Sequence, residues 1–161
     1  MTAHEDQSAG KDIPGVIAPP PVIYLGGLAI GFVLEALLPG GSFPAPLRWG
    51  LGGGLLAAGL GLLGWWISSF RGADTPMPPW EPTRVLVTGG PYRLTRNPAY
   101  LADAFIYVGI ALLADAPWVL LPLPVVLLIM DQGVVAREEH YLERRFGRDY
   151  ASLKGRTRRW V

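Results

Sequence analysis

The sequence predicts an all-α membrane protein with four transmembrane helices, and three observations support this fold class. Half of the 161 residues are hydrophobic, only 17% are charged, and the mean hydropathy is +0.30, which is unusual for a soluble domain. Four apolar runs of 16 to 21 residues follow one another along the chain. The basic residues are segregated, since 13 of the 14 fall in segments that would meet at one end of such a bundle. Four buried helices of a soluble protein are the weaker alternative, because too little polar sequence remains to cover them.

The four helices are predicted at residues 22–38, 47–68, 98–114 and 116–145. A helix needs roughly 20 apolar residues to cross the hydrocarbon core, and about 17 are tolerated, so the first, second and fourth runs qualify directly. The third run has 16 residues and contains Asp103, so it needs flanking residues or local thinning of the bilayer. Only Asp115-Ala116-Pro117 separates the third run from the fourth, which predicts an antiparallel hairpin.

Residues 1–20 are predicted to be a disordered cytosolic tail, and residues 21–161 to be a single membrane domain. The early charges of the tail are acidic and it ends in prolines, unlike a secretory signal peptide. An interfacial or partner-binding segment is the alternative for this tail. The chain has no cysteine and only two histidines, His4 and His140, so we expect no disulfide and no metal site.

The distribution of Lys and Arg predicts how the helices are oriented. The link at residues 39–46 and the turn at Asp115 contain no basic residue, and only Arg48 lies near them. The other side receives the long loop after the second helix and the charged chain after the fourth. Because cytoplasmic loops carry the excess of basic residues, both termini and this loop are predicted to be cytosolic. The expected location is the bacterial cytoplasmic membrane.

The second helix is rich in small residues at helical spacing. Two series recur every four positions: Gly50, Gly54 and Ala58, and Gly53, Ala57 and Gly61. Small residues at this spacing let helix backbones approach closely within lipid. Packing against a neighbouring helix of the same chain is the favoured interpretation, and a homodimer through the glycine-rich second helix is the alternative.

The loop from Arg71 to Pro98 is the most informative segment. Its 28 residues exceed the usual length of a connection, and such loops are commonly functional. Within it, residues 85–87 predict a strand-like or extended element, and residues 89–91 predict a turn. Pro98 suits the first turn of the third helix, and Asn97 before it suits the N-cap. The exposed N–H groups of that helix start would form an anchor for an anionic or carboxylate-bearing ligand.

The charged chain after the fourth apolar run is predicted to continue that helix into the cytosol and then to form a C-terminal cytosolic helix. A helix lying on anionic headgroups, with aromatic residues at the interface, accounts for many of its arginines. It does not account for two adjacent carboxylates, Glu138 and Glu139, at the point where the helix leaves the membrane. Adjacent residues point about 100° apart on a helix, so at most one of the two would face the bundle.

Two separated motifs carry a resemblance to a known family. LVTGGPYRLTRNPAY, followed some forty residues later by EEHYLERRFGRDY, resembles the isoprenylcysteine carboxyl methyltransferase-like group of membrane methyltransferases. The phospholipid methyltransferases share the same plan. The resemblance covers roughly residues 75–160. It implies an S-adenosyl-L-methionine-dependent methyltransferase (EC 2.1.1 class) whose cofactor binds at the cytosolic face. It also implies a lipophilic small-molecule or lipid substrate that enters from the lipid bilayer.

The same resemblance implies which residues contact the cofactor. These are, in chain order, Arg84, Val85, Leu86, Val87, Tyr92, Asn97, Pro98, Ala99, Tyr100, Glu138 and Glu139. Three positions depart from the pattern of the family, and the mildest is Ala102, which replaces a glycine that often lies two residues after the tyrosine. Asn97 stands where the prenylcysteine enzymes have a histidine, so this position cannot transfer a proton. Val134 stands where they have an arginine that meets the substrate, which argues against a prenylcysteine carboxylate.

The candidates for a catalytic base are Asp103, Asp131 and His140. A carboxylate acceptor needs no base, whereas an amine or a thiol has to lose a proton. Asp103 shares a helix face with Tyr100, and Asp131 is predicted to share one with Glu138, seven residues later. Charged residues within membrane helices are costly and by default suggest function. The alternative function is a non-catalytic binding or regulatory protein with the same fold, and we expect no nucleic-acid partner.

Overall fold

The computed structural model of the chain describes residues 13–38, 40–71 and 83–160. Within these ranges the fold is all-helical and contains no strand. Its helices are α1 (Pro20–Leu37), α2 (Pro46–Phe70), α3 (Pro98–Leu113), α4 (Pro117–Phe146) and α5 (Arg148–Arg156). The first four begin and end within two residues of the predicted bounds. Helices α1, α2 and α4 are long and apolar enough to cross a membrane, whereas α3 is apolar but has only 16 residues.

Proline marks the start of each of the four longer helices. Pro20, Pro46, Pro98 and Pro117 all occupy a first-turn position. The first N–H groups of a helix have no intrahelical acceptor, so a residue without an N–H is tolerated there, and its fixed φ suits the helix. The chain therefore encodes the helix starts through proline rather than through side-chain caps.

Helices α2 and α3 pack closely because glycines face each other across their interface. A Cβ atom at Gly59 would lie 2.8 Å from the carbonyl oxygen of Ala102, and one at Gly109 would lie 2.8 Å from the backbone nitrogen of Leu56. Gly52 contacts the same helix, since a Cβ there would lie 2.9 Å from Leu112. These contacts confirm that small residues of α2 pack against a neighbouring helix of the same chain.

The glycines responsible are nevertheless different from those in the two predicted series. Gly50, Gly53, Gly54 and Gly61 have open space where a Cβ would lie. Four-residue spacing identified small residues on this helix but not the side that meets α3. The side with Gly52 and Gly59, seven residues apart, is the packed one.

The core lies between α1, α3 and α4. Tyr24, Tyr107, Val119 and Met130 are buried there. Both phenols are satisfied by backbone carbonyls, because Tyr107 donates to Val119 O (2.8 Å) and Tyr24 donates to Tyr100 O (2.9 Å). The second of these bonds fixes the first turn of α3 against α1.

At one end of the bundle, two carboxylates join the α1–α2 link to the α3–α4 turn; we call this end the clamp face. Asp115 accepts hydrogen bonds from Phe43 N (2.7 Å), Ser42 Oγ (2.8 Å) and Arg48 Nη1 (2.9 Å). Glu35 accepts one from the backbone N–H of Trp118 (2.9 Å), in the first turn of α4. A carboxylate at a helix start satisfies a donor that the helix itself cannot.

The prediction of one regular fourth helix needs a correction, because α4 is not uniform. It opens with a 3₁₀ turn at Pro117–Leu120 and contains a π-helical turn at Asp131–Val135. Each i→i+5 bond takes an extra residue into a turn, so the part that follows is rotated relative to a continuous α-helix. The polar part, Ala136–Phe146, extends beyond the apolar stretch as predicted.

Residues 13–19 precede α1 and lie along α4. Ile17 N donates to Gly133 O (3.2 Å), and Arg137 donates to Gly15 O (2.9 Å). This part of the predicted disordered tail is therefore packed against the bundle. The rest of that prediction, for residues 1–12, lies outside the described residues.

Candidate functional site

A partly open cavity lies at the opposite end from the clamp face, where the end of α2, the start of α3 and the polar part of α4 meet. The loop before α3 and one side of α5 close it. Among the described residues, its walls are formed by Pro14, Trp66, Phe70, Thr83, Val85, Leu86, Val87, Tyr92, Arg96, Asn97, Pro98, Ala99, Tyr100, Glu138, Leu142, Tyr150 and Leu153. The walls are mainly apolar, with a few polar groups, as in most small-molecule sites.

Glu138 is the acidic group in the cavity wall. It comes from the polar part of α4 and faces Tyr100, whose hydroxyl donates to Glu138 Oε1 over 2.6 Å. Tyr100 lies in the first turn of α3, which the bond from Tyr24 also fixes. This short bond holds the carboxylate in one place and leaves its other oxygen available to a ligand.

Glu139 points in a different direction. It is only 6% exposed, it does not line the cavity, and its Oε2 lies 2.6 Å from Arg159 Nη2. Its Oε1 lies 3.2 Å from Arg96 Nη2 without forming a hydrogen bond. The two adjacent glutamates therefore point to different partners, as expected from the angle between them, and only Glu138 lines the cavity.

Tyr92 forms the aromatic wall of the cavity together with two residues of α2. Trp66 Nε1 donates to the Tyr92 hydroxyl (3.0 Å), and the Phe70 ring meets the Tyr92 ring edge to face, 6.5 Å between centroids. Burial raises the pKa of Tyr92 well above its ordinary value, and the charge of Glu138 acts in the same direction. Tyr92 is therefore a protonated donor throughout the physiological range.

The loop in front of α3 has the turn predicted at residues 89–91, where Tyr92 N donates to Gly89 O (3.3 Å). Residues 85–87 line the cavity but form no strand, and Thr83 N is held by the hydroxyl of Tyr141 (3.2 Å). Asn97 occupies the N-cap position of α3, as predicted, but its side chain makes no capping hydrogen bond. Its Nδ2 donates instead to the carbonyl oxygen of Arg159 (2.9 Å). The side chain of Asn97 thus bonds to a distant part of the chain instead of to the backbone of its own helix.

The cavity gathers nine of the eleven predicted cofactor contacts. Its walls include Val85, Leu86, Val87, Tyr92, Asn97, Pro98, Ala99, Tyr100 and Glu138, but neither Arg84, which is exposed, nor Glu139. The two predicted motifs therefore meet around one space, although they are separated by a membrane hairpin.

None of the three candidate bases lines the cavity. Asp103 is half-buried on α3, and His140 is exposed on α4. Asp131 pairs with Arg159 (3.2 Å) and accepts from Trp160 Nε1 (3.2 Å). It does not share a side of α4 with Glu138, because the π-helical turn between them rotates one relative to the other.

Several wall residues were not predicted. Trp66 and Phe70 lie on α2, outside the two motifs, and Tyr150 and Leu153 lie on α5. The last two had a signal in the sequence, since they are apolar, three residues apart and surrounded by charged residues. Burial, and the charge of Glu139, raise the pKa of Tyr150, so its hydroxyl also stays protonated.

Arg96 is the cationic residue of the wall. Its side chain is 11% exposed, its Nη2 lies 3.2 Å from Glu139 Oε1, and its Nε is buried without a hydrogen-bond partner among the described residues. A buried donor with no acceptor is unfavourable by about 1–3 kcal/mol. An anionic ligand in the cavity would remove this cost.

Comparison with protein families finds a match to the phospholipid methyltransferase family over residues 47–149. No curated protein and no solved structure matches the chain significantly. The matched range runs from α2 to α5 and contains most of the cavity wall. It covers well over half of the chain, and the apolar helices fit a membrane protein. The chain therefore belongs to the phospholipid methyltransferase family and is a membrane methyltransferase.

Proposed function

We propose that the protein transfers a methyl group from S-adenosylmethionine to a lipophilic acceptor that reaches the cavity from the bilayer. The observation that carries this proposal is a carboxylate, Glu138, held by Tyr100 in a largely apolar cavity whose wall also contains the unpartnered Nε of Arg96. One acidic group and one unsatisfied cationic donor in the same cavity suit a ligand that carries charges of both signs.

The residues present fit this cofactor. S-adenosylmethionine has an ammonium and a sulfonium, for which Glu138 is the matching group, and a carboxylate, for which Arg96 is the matching group. Apolar residues 85–87, on the loop side of the cavity, suit the nucleoside part, which bears an aromatic base. When bound, the cofactor supplies an electrophilic methyl group.

The contribution of the chain is then mainly alignment and exclusion of water. Glu138 and Arg96 would hold the oppositely charged groups of the amino-acid part of the cofactor, and the apolar wall would keep bulk solvent away from the reacting atoms. Holding reacting atoms about 3–3.5 Å apart supplies much of the rate effect in such transfers. Neither Asp103 nor His140 reaches the cavity, so we assign neither a role in this mechanism.

The proposal of a lipophilic acceptor is supported by an open groove between α3 and α4. Its walls are formed by Leu101, Ala104, Pro124, Leu127, Leu128, Asp131 and Trp160. The groove is apolar along its length and has Asp131 at its polar end. Leu101 follows Tyr100 directly, so the groove and the cavity lie on neighbouring sides of α3. Of the three candidate bases, Asp131 is therefore the one placed to meet a polar group of the acceptor.

We further propose that all four longer helices cross the membrane and that the cavity lies on the cytosolic side. The basic residues support the orientation, since Arg48 alone lies near the clamp face. Helix α3 spans about 24 Å at 1.5 Å per residue, so the bilayer has to thin around it.

Binding of the cofactor tests the site. In the purified full chain in nanodiscs, Glu138→Gln is expected to weaken S-adenosylmethionine binding by roughly 30-fold or more, because removing one charge of a buried pair costs about 2–5 kcal/mol. Glu143→Gln is the matched control, since Glu143 lies on the same helix but is exposed and paired with Lys154. Unchanged affinity in the Glu138 variant would show that the cofactor is held elsewhere.

The identity of the acceptor is tested with labelled cofactor. Membranes containing the protein are incubated with methyl-labelled S-adenosylmethionine, and the label is followed into lipid, protein and volatile fractions. We expect label in the lipid fraction, and none with the Glu138→Gln variant. Tight cofactor binding without transfer to any fraction would favour the alternative, a non-catalytic binding or regulatory protein that has kept the fold.

A further inference from the structure

The segment Thr157–Trp160 follows α5 and crosses back over the start of α3; we call it the C-terminal strap. Its backbone accepts three hydrogen bonds from the loop in front of α3. Arg158 O accepts from Arg96 N (3.0 Å), and Arg159 O accepts from Thr95 Oγ1 (3.0 Å) and from Asn97 Nδ2 (2.9 Å). The strap, which does not itself line the cavity, therefore holds the two cavity-wall residues Arg96 and Asn97 in place.

The side chain of Arg159 continues from the strap to α4. Its Nη2 lies 2.6 Å from Glu139 Oε2, and its Nη1 lies 3.2 Å from Asp131 Oδ1. Trp160 Nε1 donates to the same Asp131 oxygen (3.2 Å). One guanidinium thus joins a carboxylate at the start of the π-helical turn, Asp131, to one that follows the turn, Glu139.

Glu139 has a second cationic neighbour, but the two contacts are unequal. Arg96 lies 3.2 Å from Oε1 without a hydrogen bond, whereas Arg159 makes a close charge-assisted bond to Oε2. A carboxylate that is 6% exposed needs a cation. Because Arg159 meets most of this need, Arg96 is left with an unsatisfied donor that can serve the cavity.

We infer that Arg159 is a positioning residue for the anion-binding side of the cavity: by neutralising Glu139, it keeps Arg96 available to the carboxylate of the cofactor. Among the described residues, Arg96 already lies 3.2 Å from Glu139 Oε1, so without Arg159 it would be the remaining cation beside this carboxylate and would be drawn closer to it, away from the cavity. This inference rests on the proposed function for the identity of the ligand. The charge arrangement of Glu139, Arg96 and Arg159 does not depend on it.

Cofactor analogues test the inference on the full chain in nanodiscs. Arg159→Ala is expected to weaken S-adenosylmethionine binding about 10-fold, the value of one hydrogen bond to a charged group. Decarboxylated S-adenosylmethionine lacks the group that Arg96 would hold, so its affinity should change less than about 2-fold, which is under 0.5 kcal/mol. Equal losses for both ligands would point to general damage of the site and would overturn the inference.

A second variant separates charge from packing. In Arg159→Ala/Glu139→Gln the carboxylate no longer needs a cation, so affinity for S-adenosylmethionine should return to within about 3-fold of wild type, or roughly 0.7 kcal/mol. Arg156→Ala is the control, since Arg156 is exposed on α5 and bonds only locally, to Ser152 O. If the double variant binds as poorly as Arg159→Ala, Arg159 does not act through Glu139.

The failure of this inference can be told apart from the failure of the proposed function. If the wild-type protein binds neither ligand, the proposed function is wrong. The charge arrangement is then tested by thermal unfolding, in which Glu139→Gln should restore the melting temperature lost in Arg159→Ala. If wild type binds and the variants behave alike towards both ligands, the inference alone is wrong.

Discussion

Asp115 combines an unusual backbone conformation with three side-chain bonds. It has a φ of 56°, in the left-handed region that few residues other than glycine adopt. Asp is among those that tolerate it, and this conformation closes the turn between α3 and α4. The strain is offset by the donors that converge on the carboxylate from residues 42, 43 and 48.

These donors predict how stability depends on pH. The backbone N–H of Phe43 lowers the pKa of Asp115, with smaller contributions from Ser42 and Arg48. Because the pKa is lower in the folded protein than in the unfolded chain, the carboxylate contributes stability above the unfolded pKa. That contribution is lost as the pH falls through the folded pKa. We expect the melting temperature of the wild-type protein to decrease between about pH 5 and pH 3.

Asp115→Asn removes the titrating group but keeps a side chain that accepts the left-handed conformation. The variant should therefore be less stable near neutral pH and show a flatter decrease on acidification, as followed by thermal unfolding in micelles. Asp149→Asn, on the exposed side of α5, serves as the control and should keep the wild-type profile. An Asp115→Asn profile parallel to that of wild type would contradict this role for the carboxylate.

At the scale of the helix, α2 offers a matched pair of glycines. A Cβ at Gly59 would come within 2.8 Å of Ala102 O and 3.0 Å of Ile106 N, which are backbone atoms that cannot rotate away. A Cβ at Gly61, on the same helix, would meet nothing within 4 Å. We expect Gly59→Ala to separate α2 from α3 at a cost of about 1–3 kcal/mol, as in overpacked cores.

Gly61→Ala should leave stability unchanged or raise it slightly, since alanine is the better helix former by about 1 kcal/mol. Unfolding of both variants in mixed micelles with increasing denaturing detergent measures the difference. If Gly61→Ala were the more damaging change, or if it shifted the protein from dimer to monomer, the exposed series of small residues would be an interface between copies. That result would favour the alternative for the glycine-rich helix.

The helices themselves could be predicted from the sequence, but their facing sides could not. The lengths of the apolar runs were enough to place α1 to α4, and Pro98 indicated the start of α3. Within lipid, however, both sides of a helix are apolar, so hydrophobic periodicity does not show which side meets protein. Four-residue spacing therefore points to the series with Gly50 and Gly53, whereas the glycines that pack against α3 are Gly52 and Gly59.

The candidate site shows the same limit for long-range contacts. The resemblance to the methyltransferases implied that Tyr92, Tyr100 and Glu138 would contact one cofactor, and all three line one cavity. The seven-residue spacing of Asp131 and Glu138 places them on one face only in a regular α-helix, so it could not predict the effect of the π-helical turn that begins at Asp131. Nor could it predict that Asn97 would bond to a carbonyl 62 residues away rather than cap its own helix.

At the scale of the whole molecule, the absence of native cysteine makes the topology directly testable. Single-cysteine variants Gly41→Cys and Ala114→Cys place an exposed thiol at the clamp face, and Ser152→Cys places one at the cavity end. A membrane-impermeant maleimide added to intact cells should label the first two and reach the third only after permeabilisation. Labelling of position 114 together with position 152 would show that α3 does not cross the membrane.

The clamp face also bears on how the protein is assembled. Its three bonds to Asp115 join residues that lie 67 to 73 positions apart, and the bond from Trp118 to Glu35 spans 83. None of them can form until both helical hairpins have been inserted and have come together. Until then, Arg48, Asp115 and Glu35 are charges at a membrane surface without their partners. The clamp therefore forms only in the fully packed bundle, and a chain with one hairpin out of place leaves these charges unpaired.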